Sequence, residues 1–222
     1  PAKPCDQAHY LMWRGGKPGD FELRLEYRLV GGNSGIQFRS RELPAWDTSG
    51  YQADMEAGDQ WTGCLFEHTR GGVSMRGQNV VIQPDGQRQI TPIGDPKELL
   101  RHVKPNDWNQ YRIVARGSDL TLEINGVVMC QATDRQSSIA ARDGVIALQM
   151  HPGPPMKVQF RNLRIQIFDQ PETQQDWPEF RGPRGDPVRR TPGRDPRPEG
   201  RCRLSALRAE DVRAEPAARR AR

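Results

Sequence analysis

Long apolar runs are missing from this sequence, and that absence sets the first limits. No stretch approaches the roughly 20 apolar residues that cross a bilayer as a helix, so no membrane span is expected. Hydrophobic residues make up 35% of the 222 and aromatics 7%, and mean hydropathy is −0.82. These values are low for a chain packed throughout, so a substantial part should lie outside any core. Cysteine is scarce: Cys5, Cys64, Cys130 and Cys202, with no pair at the spacing of a metal site or a redox motif. Cys64 and Cys130 fall in apolar strand contexts and read as small buried hydrophobes. A Cys64–Cys130 disulfide is compatible with the sequence and not established by it. Lysine is absent from 171–222, where thirteen arginines face nine acids, so this segment carries +4 of the chain's +5. The remainder is near neutral and lacks the clustered basic face of a nucleic-acid binder, so no nucleic-acid partner is expected. The chain begins at Pro1 without Met and reads as a fragment or processed form in which a signal peptide is not observable.

What the chain does contain is a period of two. In Phe21-Glu22-Leu23-Arg24-Leu25-Glu26-Tyr27-Arg28-Leu29 every odd position is apolar and every even one charged, the pattern of a half-buried strand. Gly31-Gly32-Asn33-Ser34-Gly35 reads as a turn leading into a strand through Ile36 and Phe38. Short strands are expected at 10–13, 50–56, 61–68, 80–82, 108–115, 120–125, 127–131, 145–151 and 156–168, with 40–49 a loop. Asn125-Gly126 is the strongest hairpin signal. The phase of the last strand slips between Phe160 and Leu163, which predicts a bulge near Arg161-Asn162. Asp95-Pro96-Lys97-Glu98 predicts one short helix, with Asp95 as cap, Pro96 in the first turn and Glu98 completing a capping box. About ten short strands and one helix give an all-β class, an antiparallel sandwich or jelly roll. It should span 1–169, with 170–222 a linker and disordered tail that cannot bury a core, apart from a short helix over 204–212.

The stretch most informative about function is Gly50-Tyr51-Gln52-Ala53-Asp54-Met55-Glu56. Side chains two apart on a strand share a face, so Gln52, Asp54 and Glu56 form a polar row, with Tyr51, Ala53 and Met55 opposite. Two carboxylates roughly 7 Å apart suit acid–base work on a glycosidic bond, and equally a solvated pair. His151, at a strand end beside Gln149, is a candidate base or metal ligand. Arg39 and Arg161 sit on polar strand faces and could hold a substrate oxygen or pair with a carboxylate. Trp46, in a loop, is the best candidate platform for a sugar ring, ahead of Tyr51 and Trp61. Parity predicts that Arg39, Gln52, Asp54, Glu56, Gln149 and His151 converge on one sheet face.

Six motifs in order resemble the 3-keto-disaccharide hydrolase domain family over about residues 8 to 169. They are Asn33-Ser34-Gly35-Ile36-Gln37-Phe38-Arg39, Gly50-Tyr51-Gln52, Asp107-Trp108-Asn109, Ile124-Asn125-Gly126, Ile146-Ala147-Leu148-Gln149-Met150-His151 and Phe160-Arg161-Asn162-Leu163. The resemblance implies a concanavalin-like jelly roll and a glycoside or oligosaccharide substrate already oxidised at C3. It implies removal of the C2 proton, loss of the C1 substituent and addition of water. Asp54, Glu56 and His151 are then the base or metal-ligand candidates, with Arg39 and Gln149 as stabilisers. A divalent metal would suit such an enolate, though no ligand spacing demonstrates one. Family members usually carry Glu where this chain has Gln52, so Asp54 or Glu56 must do that work here. A non-catalytic carbohydrate-binding module is the alternative. The family also implies a bacterial protein, periplasmic or exported. Downstream, Trp177-Pro178-Glu179-Phe180-Arg181-Gly182-Pro183 resembles the opening of a PQQ-binding-like β-propeller, as fused to this family in some bacteria. The Arg-, Pro- and Ala-rich run after it does not continue one and reads as a truncated or frameshifted gene product.

Overall fold

A computed structural model describes residues 4–168 and a two-residue strand at Cys202–Arg203. Apart from Cys202–Arg203, which pair with the last long strand, the segment 170–222 expected to be disordered lies outside the described residues, as do the helix at 204–212 and the propeller-like motif at 177–183. The strands are β1 (His9–Met12), β2 (Phe21–Val30), β3 (Asn33–Leu43), β4 (Asp47–Glu56), β5 (Leu65–Glu67), β6 (Gly71–Ser74), β7 (Gln78–Ile82), β8 (Arg88–Pro92), β9 (Asn109–Arg116), β10 (Asp119–Ile124), β11 (Val127–Asp134), β12 (Val145–Met150), β13 (Lys157–Ile167) and β14 (Cys202–Arg203). One helix, α1 (Pro96–Leu100), lies between β8 and β9. The strands form a six-stranded sheet in the order β1-β12-β3-β4-β5-β6. An eight-stranded sheet has the order β14-β13-β2-β9-β10-β11-β7-β8. Every pair is antiparallel except β11 with β7. The molecule is a β-sandwich, as the alternating pattern predicts.

The two sheets meet through the apolar phase of each strand. Phe21, Leu23, Leu25 and Tyr27 of β2, with Tyr111 and Ile113 of β9 and Leu120, Leu122 and Ile124 of β10, pack against Ile36, Phe38, Tyr51, Ala53 and Met55 of β3 and β4. Aromatic rings pack both across the interface and within the six-stranded sheet. Phe21 meets Phe38 edge-on at 6.1 Å, and Phe38 stacks on Tyr51 at 5.7 Å. Each large buried side chain contributes about 1.5–3 kcal/mol, so this layer holds the sheets together. The polar phase of β2 faces outward as a charge ladder. Arg112 spans Glu22 and Glu123 at 2.8 and 2.5 Å, and Arg161 pairs with Glu26 at 2.6 Å. Such exposed pairs contribute ~1 kcal/mol or less each, so they order the surface more than they stabilise it.

Several local expectations hold at residue level. The Asp95 carboxylate accepts from the Lys97 and Glu98 amides at 2.9 Å, although Glu98 turns to Arg101 instead of closing a capping box. Asn125 takes a positive φ of 52° at the β10–β11 turn. The bulge falls where the phase slipped, with the β13 register shifting between Arg161 and Arg164 and Asn162 at φ 55°. Others are corrected. Residues 40–49 are not a loop: β3 and β4 continue through them as a hairpin whose turn is only Pro44–Trp46. The expected strand over 61–68 is confined to β5, and the Gly-rich region holds β6 and β8 as well as β7.

One core residue is a misfit. The Tyr27 hydroxyl is buried without a hydrogen-bond partner, and burial alone drives its pKa far up. Removing an unsatisfied buried group recovers its desolvation cost. Tyr27→Phe is therefore expected to stabilise the fold by about 1 kcal/mol, read as a higher denaturant midpoint at unchanged m-value. A lower midpoint would mean that the hydroxyl is satisfied.

Candidate functional site

The outward face of the six-stranded sheet carries a polar layer built by register. β4 places Gln52 opposite Gln37 and Asp54 opposite Gly35 on β3. β12 places Ala147 opposite Gln37, and two residues on, Gln149 faces Tyr10 of β1. Tyr10, Gln149, Gly35 and Asp54 thus form one row across four strands, beside Met12, Ala147, Gln37 and Gln52. The missing side chain at Gly35 is what connects the row. A Cβ there would stand 2.5 Å from Cγ and Cδ of Gln52, so Gln52 lies across the space that any other residue would fill.

The amides form a directed chain. Ser40 Oγ donates to Gln37 Oε1 at 2.7 Å, and Gln37 Nε2 donates to Gln52 Oε1 at 2.6 Å. Gln52 Nε2 then donates to Asp54 Oδ1 at 2.5 Å and reaches Gln149 Oε1 at 3.3 Å. Gln149 Nε2 donates to the Tyr10 hydroxyl at 3.0 Å. Each amide's orientation is fixed by the one before it. Asp54 is the single carboxylate in this chain and is only 4% exposed. Burial pushes its pKa up to about 7, the Gln52 hydrogen bond opposes this, and the charge of Glu56 adds a further rise. No cationic side chain offsets the burial, and an acid poised near neutrality in a polar layer is a functional-site signature.

The structure brings Gln52, Asp54 and Gln149 together and places Glu56 two residues further along β4 on the same face. Glu56 is spoken for: its Oε1 accepts the Gln60 and Trp61 amides at 2.5 and 2.6 Å and closes the 57–63 loop. His151 follows β12 by one residue, and its Nδ1 contacts Pro152 O at 2.6 Å. Continuing the β12 register sets it level with Asn33 and Glu56, roughly 12 Å from Asp54 between Cα atoms. Asn33 Oδ1 there is buried without a partner.

Three expected members do not join. Arg39 departs from strand parity because it sits at φ 46° where the β3 register shifts between Phe38 and Arg41. Its buried guanidinium binds Gly19 O, Gly117 O and the Asp20 carboxylate at 2.8, 2.7 and 2.9 Å, so it ties loops and holds no substrate oxygen. Arg161 lies on the eight-stranded sheet, paired with Glu26 and set 3.9 Å from the Trp108 ring centroid. Trp46 is 65% exposed at the tip of the β3–β4 hairpin, with Arg14 over its ring at 5.6 Å. That is eight residues of hairpin from Asp54, so it is not in the amide chain.

Tyr10, Gln37 and Gly35 belong to the site and were not singled out in the sequence. Their signal was the register: Gln37 lies opposite Gln52, and β1 adds to the same sheet.

Among the described residues no group of three or more His, Cys, Asp or Glu side chains is placed to hold a metal ion. The donors around Asp54 are neutral amides and a phenol, a poor fit to the charged oxygen set a hard divalent cation takes. No helix among the described residues is long and apolar enough to cross a membrane.

A two-sheet sandwich, antiparallel but for one strand pair and carrying a polar outer row, defines a jelly-roll protein of concanavalin-like type. Within that class the chain belongs to the 3-keto-alpha-glucoside-1,2-lyase-like domain family, whose sequence model matches residues 2–166. No functionally curated protein matches it. Among solved structures it is similar to the carbohydrate binding module CBM66 from Bacillus subtilis (15% identity, 73% of this chain and 83% of that one, TM-score 0.48). A proposed glycosyl hydrolase from Parabacteroides distasonis ATCC 8503 is similar at 18% identity, over 74% and 84% of the two chains, with TM-score 0.48. Galectin LEC-6 from Caenorhabditis elegans is similar at 11% identity, over 74% and 94%, with TM-score 0.39.

Proposed function

We propose that this protein is a lyase of 3-keto glucosides and that Asp54 is its base. The observation that carries the reading is the buried Asp54 carboxyl, held at Oδ1 by Gln52 among neutral amides with no cation beside it, a setting that raises its pKa to about 7. A ketone at C3 makes the C2 proton removable by a carboxylate of this strength. Near neutral pH about half of Asp54 is ionised, and desolvation makes that fraction more basic than an exposed aspartate. A base whose pKa lies close to the working pH is the effective choice.

The chemistry balances on this chain's own groups. Asp54 Oδ2 takes the proton from C2. The electron pair moves toward C3 and its oxygen becomes an enolate, to which the Tyr10 hydroxyl and the Gln149 amide offer neutral donors. The pair then returns to form the C1–C2 double bond as the C1–O bond breaks. The leaving oxygen takes the proton back from Asp54 and departs as an alcohol. Water added across the double bond completes a net hydrolysis. Gln52 cannot accept the proton. Its task is to orient Asp54 and space it from Gln149.

Purified protein is expected to release the aglycone from a 3-keto glucoside and to leave the unoxidised glucoside intact, since that C2 proton is not acidic. The rival reading, a carbohydrate-binding module, draws on the amide chain satisfying itself around one carboxylate. It requires saturable sugar binding with no release from either compound, and that result would overturn the lyase.

A further inference from the structure

Beyond Asp54 the same face changes character. Gln52 is opposite Phe66 on β5, and Phe66 is opposite Gly72 on β6. The Phe66 ring meets Trp61 edge-on at 6.0 Å and His68 edge-on at 5.8 Å. Gly72 offers no side chain, and the gap is roofed from outside. A Cβ there would stand 3.0 Å from Met75 Sδ and 3.8 Å from Trp61 Cζ3. Met75 is also a wall of a cleft of about 400 Å³ lined by Ile90, Pro92 and Pro96. The buried Arg76 guanidinium fastens that wall, bonding the carbonyl oxygens of Thr62, Asp59 and Pro96. Its donors point at backbone carbonyls, and Gln78 Oε1 is taken by the Met75 amide, so although Gln60 and Gln78 also line the cleft its wall is mostly apolar.

Hydrogen-bonding groups therefore lie on one side of Asp54, toward β12 and β1. Aromatic and thioether groups lie on the other, toward β5 and β6, with the cleft two strand spacings away, roughly 10 Å. A polyhydroxylated ring belongs with the amides. An apolar group is favoured against Phe66, Trp61 and Met75. Resting on the lyase reading above, we propose that the leaving group is aromatic: the substrates are aryl 3-keto glucosides whose aglycone crosses Phe66 into the Met75–Ile90 cleft.

The test compares 2-naphthyl with methyl glucosides, each in the 3-keto and the unoxidised form, on the full chain. For the 3-keto pair, KM for the naphthyl compound is expected to be at least about tenfold below that for the methyl compound. Phe66→Ala and Ile90→Asp should each remove most of that advantage. Ile90 is half exposed on an edge strand, so its substitution does not endanger folding. For the unoxidised pair, which the enzyme does not consume, calorimetry should give the same preference in Kd and the same loss in both variants. Equal affinity for naphthyl and methyl compounds in the wild type, or a preference that survives both variants, overturns the aglycone site. Preferential binding of the naphthyl glucoside with no release from either 3-keto compound keeps the aglycone site and removes the lyase reading instead.

Discussion

Asp54→Asn is expected to lower the rate of aglycone release from a 3-keto glucoside by about a thousandfold, within the usual range for removing a positioned base. The change is nearly isosteric, and the Asn side-chain oxygen can still accept from Gln52, so the amide chain keeps its shape. What is lost is the atom that takes the C2 proton. The wild-type protein should carry the signature of this group in its pH profile. Because burial lifts the Asp54 pKa to about 7, kcat/KM should rise about tenfold per pH unit below 7 and level off above it. Glu56→Gln disturbs the loop that carries Trp61 and should act on KM while leaving that profile in place. A variant Asp54→Asn that retains a tenth of wild-type turnover, or a wild-type profile flat between pH 5 and 8, would take the proton transfer away from Asp54.

The same carboxyl should make the fold more stable in mild acid. In the unfolded chain Asp54 titrates near its ordinary value of 3.8, and in the folded chain near 7. Between those two values the native state holds a proton that the unfolded state has released. Stability is thus fully present below about pH 4 and declines as pH rises toward 7. A shift of about three units corresponds to roughly 4 kcal/mol across that window. Asp54→Asn removes the titration. The variant should match the wild type near pH 4 and exceed it by a few kcal/mol at pH 8, when urea midpoints of the two proteins are compared at each pH. Coincident midpoints at pH 8 would show that the native carboxyl is not held up by burial. Taken with the rate profile, the two curves run in opposite directions: the pH that arms the base is the pH that costs stability.

Much of this architecture is legible in the residues. The strict alternation of 21–29 announces β2, and the phase slip after Phe160 announces the β13 bulge. The polar row of Gln52, Asp54 and Glu56 announces the site, because three polar groups on one strand face had to line water or a ligand. What could not be read is of two kinds. Parity assigns a residue to a face only while the strand is regular, and Arg39 sits in a register shift marked only from neighbouring segments, where Gly50 and Gly144 leave no room for a Cβ against Arg39–Ser40. Parity also says nothing about which sheet a strand joins, which is why Arg161 had a matching phase and the wrong sheet. Glu56 was legible as a partner for Asp54. Its capture by the Gln60 and Trp61 amides depends on how the 57–63 loop folds back. The pairing of β1 with β12, which brings Tyr10 to Gln149, joins residues 139 apart. No local pattern can announce such a contact.

A second pairing of distant strands, β2 with β13, governs when the protein can fold. β2 lies between β9 and β13, so its outer edge stays open until Phe21 meets Ile167, after nearly the whole described domain has been synthesised. Closing so long a loop costs entropy before any contact repays it, and folds dominated by such contacts are slow, on the order of milliseconds to seconds. On the ribosome the alternating apolar face of β2 waits exposed while roughly 130 residues follow at about 5–20 residues per second. Its outward row of Glu22, Arg24, Glu26 and Arg28 then has a second use: charge on a waiting strand discourages pairing with another nascent chain. A surface ladder that adds little to the finished fold guards the chain during the seconds before that fold exists.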